Sequence, residues 1–294
     1  HYLQDVNRSY HYEYEQTFNE NVFIGDVVST DVKEYEGYNF NSDKSIIETS
    51  VNKDGTTELS LYYDRNVNYI YLDSDGGTYY EPIPTIFEAE INLGSYTPQR
   101  GGYRFNRWEC IDRRTGNVIE TPSVMPNEDI YFIARWTPTN TTYTLSYYIE
   151  NANDDGYTNI GTYSITAESG SVVTTLNENT IQRGLQSLRS DYEYFTYDDE
   201  ATKQANESYD PNTGLYNIVV NGDGSTAISI YYSRNTYNLA FDVVSRNNTL
   251  TMNGINYTSS TDNYTFNAKY EADIALLWPT YDNFTSFASS NRAF

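Results

Sequence analysis

Residues 51–66 read VNKDGTTELSLYYDRN, and residues 220–235 read VNGDGSTAISIYYSRN. The two stretches align without a gap at an offset of 169 residues. By self-comparison about ten of the sixteen positions are identical. Each contains a tight-turn dipeptide, Asp54-Gly55 in the first and Asp223-Gly224 in the second, of the kind that joins antiparallel strands. After each turn the apolar residues alternate, as Leu59, Leu61 and Tyr63 and then as Ile228, Ile230 and Tyr232. A period of two is that of a strand with one buried face. Each stretch is therefore read as the closing strand of a small β unit, present in two copies.

Working back towards the start of each copy, Tyr2-Leu3-Gln4-Asp5 corresponds to Tyr148-Ile149-Glu150-Asn151. A strand marked by Tyr143, Leu145 and Tyr147 leads into the second of these, and the first copy is expected to lack it. The second copy also carries an insertion. Within it Ile181, Leu185 and Leu188 stand at i, i+4 and i+7, which predicts a short helix from Ile181 to Arg189 with Gly184 as its weak point.

A different unit follows each copy. The first runs IYLDSDGGTYY from Ile70, then PIPTIFEAEINLG, GGYRFNRW and SVMPNEDIYFIARW. A fainter version begins at Leu239, where Tyr270-Glu271-Ala272-Asp273-Ile274 aligns with Phe87-Glu88-Ala89-Glu90-Ile91. The organisation is thus A–B–A′–B′, with A at 1–66, B at 67–136, A′ at 137–235 and B′, truncated, at 236–294. Only Asp64-Arg65-Asn66 separates A from B, and only Ser233-Arg234-Asn235 separates A′ from B′. Joints this short should hold each pair nearly rigidly. Thr137 to Thr142, polar and containing Pro138, is expected to be the looser joint.

Composition narrows the function. Eighteen Lys and Arg stand against 41 Asp and Glu, a formal net charge of −23. That argues against nucleic-acid binding, which displaces counterions with a basic surface, and against docking on an anionic membrane. No apolar run is long enough to span a bilayer. A single Cys excludes an intrachain disulfide framework, and two His near the start leave little for His-dependent chemistry. The 32 Tyr, against 12 Phe and 3 Trp, suit thin, half-exposed sheets, because Tyr buries a ring and keeps its hydroxyl wet. The expected fold class is mainly β with some α, built as a tandem array of four small domains forming an extended rod.

The B unit resembles the Listeria–Bacteroides repeat of bacterial surface proteins, the internalin B-repeat type. The resemblance rests on Asp73-Ser74-Asp75-Gly76-Gly77-Thr78, Gly102-Tyr103-Arg104-Phe105, Trp108, Met125-Pro126 with Asp129, and Ala134-Arg135-Trp136. Arg107 stands where that family usually has Gly before the first Trp. The A unit resembles the MucBP-like (mucin-binding) repeats that often alternate with it, through Tyr2-Leu3-Gln4-Asp5, Glu36-Gly37-Tyr38 and the Asp-Gly…Tyr-Tyr-Asp-Arg-Asn close. The resemblance implies small β-grasp-like modules in a long Gram-positive cell-wall protein. It implies a spacer or stalk, some relatives of which are adhesive.

Candidate sites follow. Asn151, Asn153 and Asp155, before Gly156, match the first half of a calcium loop, and Asp73 and Asp75 form a second acidic turn. An EF-hand would need Glu where Thr162 stands, so both are read first as turns, with Ca2+ the only cofactor considered. Paired acids are everywhere and specify no glycosidase, whose two carboxylates need a defined separation in a cleft. No catalytic residues are assigned, and the chain is not expected to be an enzyme. Trp108, Trp136, Phe105 and Cys110 are read as core. Tyr62, Tyr63, Tyr79, Tyr80, Tyr231 and Tyr232 are candidates for stacking on glycans, with one of each adjacent pair facing inward. The leading expectation is a structural spacer of an extracellular bacterial surface protein. Its alternative is an adhesin module for mucin, another glycan or a host protein, and self-association through the repeats is a further partner.

Overall fold

The computed structural model describes residues 1–15, 21–242, 249–252, 255–257, 263–278 and 280–282. The chain is mainly β and divides into two compact units, residues 1–137 and 138–294.

In the first unit, A holds six strands: β1 (Tyr2–Gln4), β2 (Tyr10–Tyr12), β3 (Val27–Ser29), β4 (Tyr38–Ile46), β5 (Glu48–Ser50) and β6 (Ser60–Arg65). Four of them make one sheet in the order β2-β1-β6-β4. The central pair β1 and β6 is parallel, with Tyr2 opposite Tyr62, and both outer pairings are antiparallel. The expected missing strand is therefore represented by three residues, at the place of the last residues of its counterpart in A′. The alternation read from the sequence fills the core: Leu61 and Tyr63 are buried with Leu3, and Tyr35, Tyr38, Phe40 and Leu59 pack around them.

B holds β7 (Val67–Asp73), β8 (Ile83–Ile86), β9 (Tyr103–Ile111) and β10 (Ile130–Pro138) in the order β8-β7-β10-β9. Its central strands β7 and β10 are again parallel. Its core is Ile70, Leu72, Cys110, Met125, Ile130 and Phe132, with Trp108 packed against it. Burial raises the Cys110 thiol above its ordinary range, as suits an inert packing residue.

In the second unit, A′ runs β11 (Asn140–Glu150), β12 (Tyr157–Glu168), β13 (Val172–Val173), α1 (Glu178–Leu188), β14 (Phe195–Tyr197), α2 (Asp199–Ala205), β15 (Tyr209–Asp210), β16 (Leu215–Tyr216), β17 (Ile218–Val219) and β18 (Ala227–Arg234). Its main sheet is β12-β11-β18-β14, with β11 and β18 parallel. A, B and A′ therefore share one plan: second strand, first, last, third, with first and last parallel. A parallel pair needs a crossover between its strands, and in A′ the insertion supplies α1 as part of that crossover. B′ contributes β19 (Thr236–Asp242), β20 (Thr249–Met252), β21 (Ile255–Tyr257), β22 (Asn263–Lys269) and β23 (Thr280–Asp282), with β19 antiparallel to β22 and β20 between β21 and β23. Much of the weaker half of B′ lies outside the described residues.

Helix α1 starts earlier than expected because Asn177 caps it, its side chain accepting from Thr180 N at 3.1 Å. Gly184 has a reason to be there. The Tyr147 phenol passes beneath it to donate to Ile181 O at 2.8 Å, and a Cβ at Gly184 would lie 1.9 Å from the Tyr147 hydroxyl oxygen. Helix α2 was not expected, since seven residues carry too little periodicity to read. It lies against β18, where Thr202 Oγ1 accepts from Tyr231 N and Asn206 bonds both Ser229 N and Ser229 O. Side chains there take the place of a neighbouring strand.

The residues from Thr137 to Thr142 lie in strands except for Thr139. Strand β10 runs through Pro138 and β11 begins at Asn140, leaving Thr139 alone between them. Thr139 O accepts from both the backbone and the hydroxyl of Ser169, and β11 is paired on both sides.

Candidate functional site at the repeat joints

Arg65 is the last residue of β6, and its side chain is 8 % exposed. Its backbone N–H donates to Gln4 Oε1 at 3.1 Å, and its Nε donates to Gln4 O at 2.7 Å. Its Nη1 donates to Phe87 O at 2.9 Å and pairs with Glu88 Oε2 at 2.5 Å. One guanidinium thus holds the end of a central A strand and a turn of B. The guanidinium also lies 5.1 Å from the Tyr38 ring centre, a cation–π contact. The next residue continues the joint through its backbone: Asn66 N donates to Gly37 O of A, and Asn66 O accepts from Phe87 N of B. Gly37 is needed here, with φ at +80° and a Cβ that would sit 2.2 Å from the Phe87 ring. Glu88 adopts φ +62°, an uncommon conformation for a residue with a side chain, which this bonding sustains.

The joint of A′ with B′ repeats this arrangement atom for atom. Arg234, also 8 % exposed, donates from N to Glu150 Oε2 at 2.9 Å and from Nε to Glu150 O at 2.7 Å. Its Nη1 donates to Tyr270 O at 3.0 Å and pairs with Glu271 at 2.5 Å. Phe195 supplies the ring beside the guanidinium. Asn235 donates to Tyr194 O and accepts from Tyr270 N, and Glu271 stands at φ +61°. This joint has further bonds. Arg189 forks onto Asp191 and reaches Glu271 at 3.2 Å. Lys269 pairs with Glu150 at 2.8 Å, and Tyr194 stacks on Tyr270 with ring centres 4.3 Å apart. The hydrogen bonds from Arg189 hold the Asp191 carboxyl below its ordinary range.

These residues were not singled out from the sequence, although a signal was present. Arg65-Asn66 and Arg234-Asn235 are identical within the repeated stretch, and neither turn chemistry nor strand alternation calls for them. Glu88 and Glu271 are likewise identical within the aligned B segments.

The candidate tyrosines divide into groups. Tyr63 and Tyr232 are 1 % and 4 % exposed and belong to the cores, which removes them as glycan platforms. Tyr62 stacks on Tyr2 at 4.8 Å, and Tyr10 covers another side of its ring edge-on. Tyr231 stacks on Tyr148 at 4.9 Å, with Tyr157 edge-on. B has the equivalent pair, Tyr71 on Tyr131 at 4.7 Å, with Arg113 over Tyr131. All three pairs are direct neighbours across the parallel central strands. Tyr80 packs on the B core beside Tyr96 and Trp108, whereas Tyr79 is exposed and donates to Glu81.

The acidic turns carry hydrogen bonds and ion pairs within the chain. Asn153 Oδ1 accepts from Asp273 N, Asn151 donates to Asp154, and Asp155 lies 3.8 Å from the Lys269 ammonium. Asp73 accepts from Asp75 N as an Asx turn, and Asp75 pairs with Arg100. Among the described residues no group of three or more His, Cys, Asp or Glu is placed to hold a metal ion, and no helix is long and apolar enough to cross a membrane. No family model matches the chain, and no curated protein is significantly similar to it.

Proposed function

We propose that the chain is a structural spacer, a segment of stalk from an extracellular bacterial surface protein. Its unit of construction is a rigid A–B pair. The observation that carries this is the duplicated Arg–Asn joint, the same four donor contacts at Arg65 and at Arg234. Selecting the same buried cation twice, at the boundary between dissimilar repeats, is what a chain needs when fixed geometry between repeats matters. The strand order with a parallel central pair supports reading A, B and A′ as β-grasp-like modules. Membership of the MucBP-like and internalin B-type repeat families rests on the motifs quoted above. A net charge of −23 suits such a segment, since like-charged stalks repel and stay solvated. Small-angle scattering tests the rod. A 294-residue globule has a radius of gyration of about 19 Å. The spacer reading expects a clearly larger value and an elongated distance distribution, and a value at the globular figure would overturn it.

A second reading, an adhesin for mucin-type glycans or a host protein, draws on the recurring outer-face tyrosine pairs and on exposed Tyr12 and Tyr79. Against it, one face of Tyr62 and one face of Tyr231 are each covered by a stacked tyrosine, which reduces the ring surface left for a sugar. Glycan-array binding by the folded chain that is lost on Tyr62→Ala or Tyr231→Ala would favour it. A blank array leaves the spacer reading in place.

A further inference from the structure

The joint of A′ with B′ contains a pair of phenols that the joint of A with B does not. Tyr194 of A′ and Tyr270 of B′ stack face to face, with centres 4.3 Å apart and planes 17° from parallel. Each is only partly buried. The Tyr270 hydroxyl donates to Asp191 Oδ2 at 3.2 Å, and the charge of the neighbouring Glu193 raises the Tyr194 phenol above its ordinary range. At the corresponding places in the first joint stand Gly37 and Phe87, which carry no phenol.

We propose that Tyr194 and Tyr270 are an oxidative cross-linking site, at which the two rings couple carbon to carbon and join A′ covalently to B′. The oxidant required is a one-electron phenol oxidant, a haem peroxidase with hydrogen peroxide. It removes one electron from each ring; the Tyr270 phenol proton passes to Asp191 and the Tyr194 phenol proton to water. Spin in each phenoxyl radical is shared with the ring carbons ortho to oxygen, in orbitals perpendicular to the ring. Face-to-face stacking is therefore the approach along which the two radicals bond. A bond forms between one ortho carbon of each ring, those carbons lose their hydrogens as protons, and the oxygens regain protons as the rings become aromatic again. In balance, two phenols and one hydrogen peroxide give one biphenol and two waters. Three other stacked pairs, Tyr2 with Tyr62, Tyr71 with Tyr131 and Tyr148 with Tyr231, are held 4.7 to 4.9 Å apart on strands already hydrogen-bonded to each other, and Tyr147 and Tyr232 are stacked at 6.3 Å. The Tyr194–Tyr270 pair is closer and connects two repeats, so coupling there locks a joint. The inference stands on this pair alone and does not depend on the spacer reading.

The test treats the intact chain with a haem peroxidase and hydrogen peroxide, isolates the monomer, and measures dityrosine fluorescence and cross-linked peptides by mass spectrometry. The expected result is a peptide linking Tyr194 to Tyr270, lighter by two hydrogens than its two parts. That peptide should be lost in Tyr194→Phe and in Tyr270→Phe, each of which keeps the ring stack and the circular dichroism of the fold. Oxidised monomer with no such peptide, or with dityrosine only at other pairs, would overturn the proposal. So would an unchanged fluorescence yield in both Phe variants.

Discussion

Arg65 and Arg234 each exchange water for carbonyl, carboxylate and aromatic partners in a setting where little water remains. A guanidinium is suited to this because its planar fork reaches several acceptors at once, whereas an ammonium presents a single point of charge. Removing it strands the carbonyls of Gln4 and Phe87 together with the Glu88 carboxylate. Hydrogen bonds to charged groups contribute about 1.5–3 kcal/mol each, and the half-exposed Glu88 lies at the low end of that range. Arg65→Ala is therefore expected to destabilise the first unit by roughly 2–4 kcal/mol in urea denaturation, and Arg65→Lys to recover less than half of the loss. Full recovery by Lys would mean that charge alone matters and the fork does not.

At the scale of elements, A and A′ show how one sheet is completed in two ways. A packs its three-residue core with Tyr38 and Phe40 of β4 and with Tyr35 and Leu59, while A′ inserts α1 and buries Ile181 and Leu185 in one core with Tyr147 and Tyr232. That core is rich in phenols, and burial raises those of Tyr147, Tyr216 and Tyr232 above their ordinary value. A raised folded value means that the neutral phenol is favoured by folding. The associated stability is complete below the unfolded pKa of about 10 and is lost as pH climbs through the folded values. Urea midpoints for A′ should be flat at neutral pH and fall steadily above about pH 10. A midpoint unchanged across that range would contradict the buried-phenol account. The closing strands were legible in the sequence, because alternation at Leu61–Tyr63 and Ile228–Tyr232 and the Asp-Gly turns are local signals. So was the existence of α1. Helix α2 was not, since its place depends on Thr202 and Asn206 meeting the backbone of a distant strand. The joint was legible only as a short connection. That Arg65 reaches Gln4 and Glu88, far apart in sequence, depends on the sheet order, which no local pattern encodes.

For the whole molecule, what matters is how far stiffness extends along the array. Neighbour contacts stabilise linear arrays whose single repeats are too small to bury much surface, and the two joints show how such contacts can also set geometry. The sequence reading expected rigid joints within A–B and A′–B′ and a loose one between B and A′. The claim at the centre of this account is that one buried arginine makes A and B move as one body. Spin labels at the exposed positions Asp43 of A and Glu120 of B, in a chain whose own Cys110 is buried, test it through their distance distribution. The account expects a single narrow distribution in the parent chain and a broad one in Arg65→Ala, with both repeats still folded. A distribution already broad in the parent chain, or one left narrow by the substitution, would contradict it.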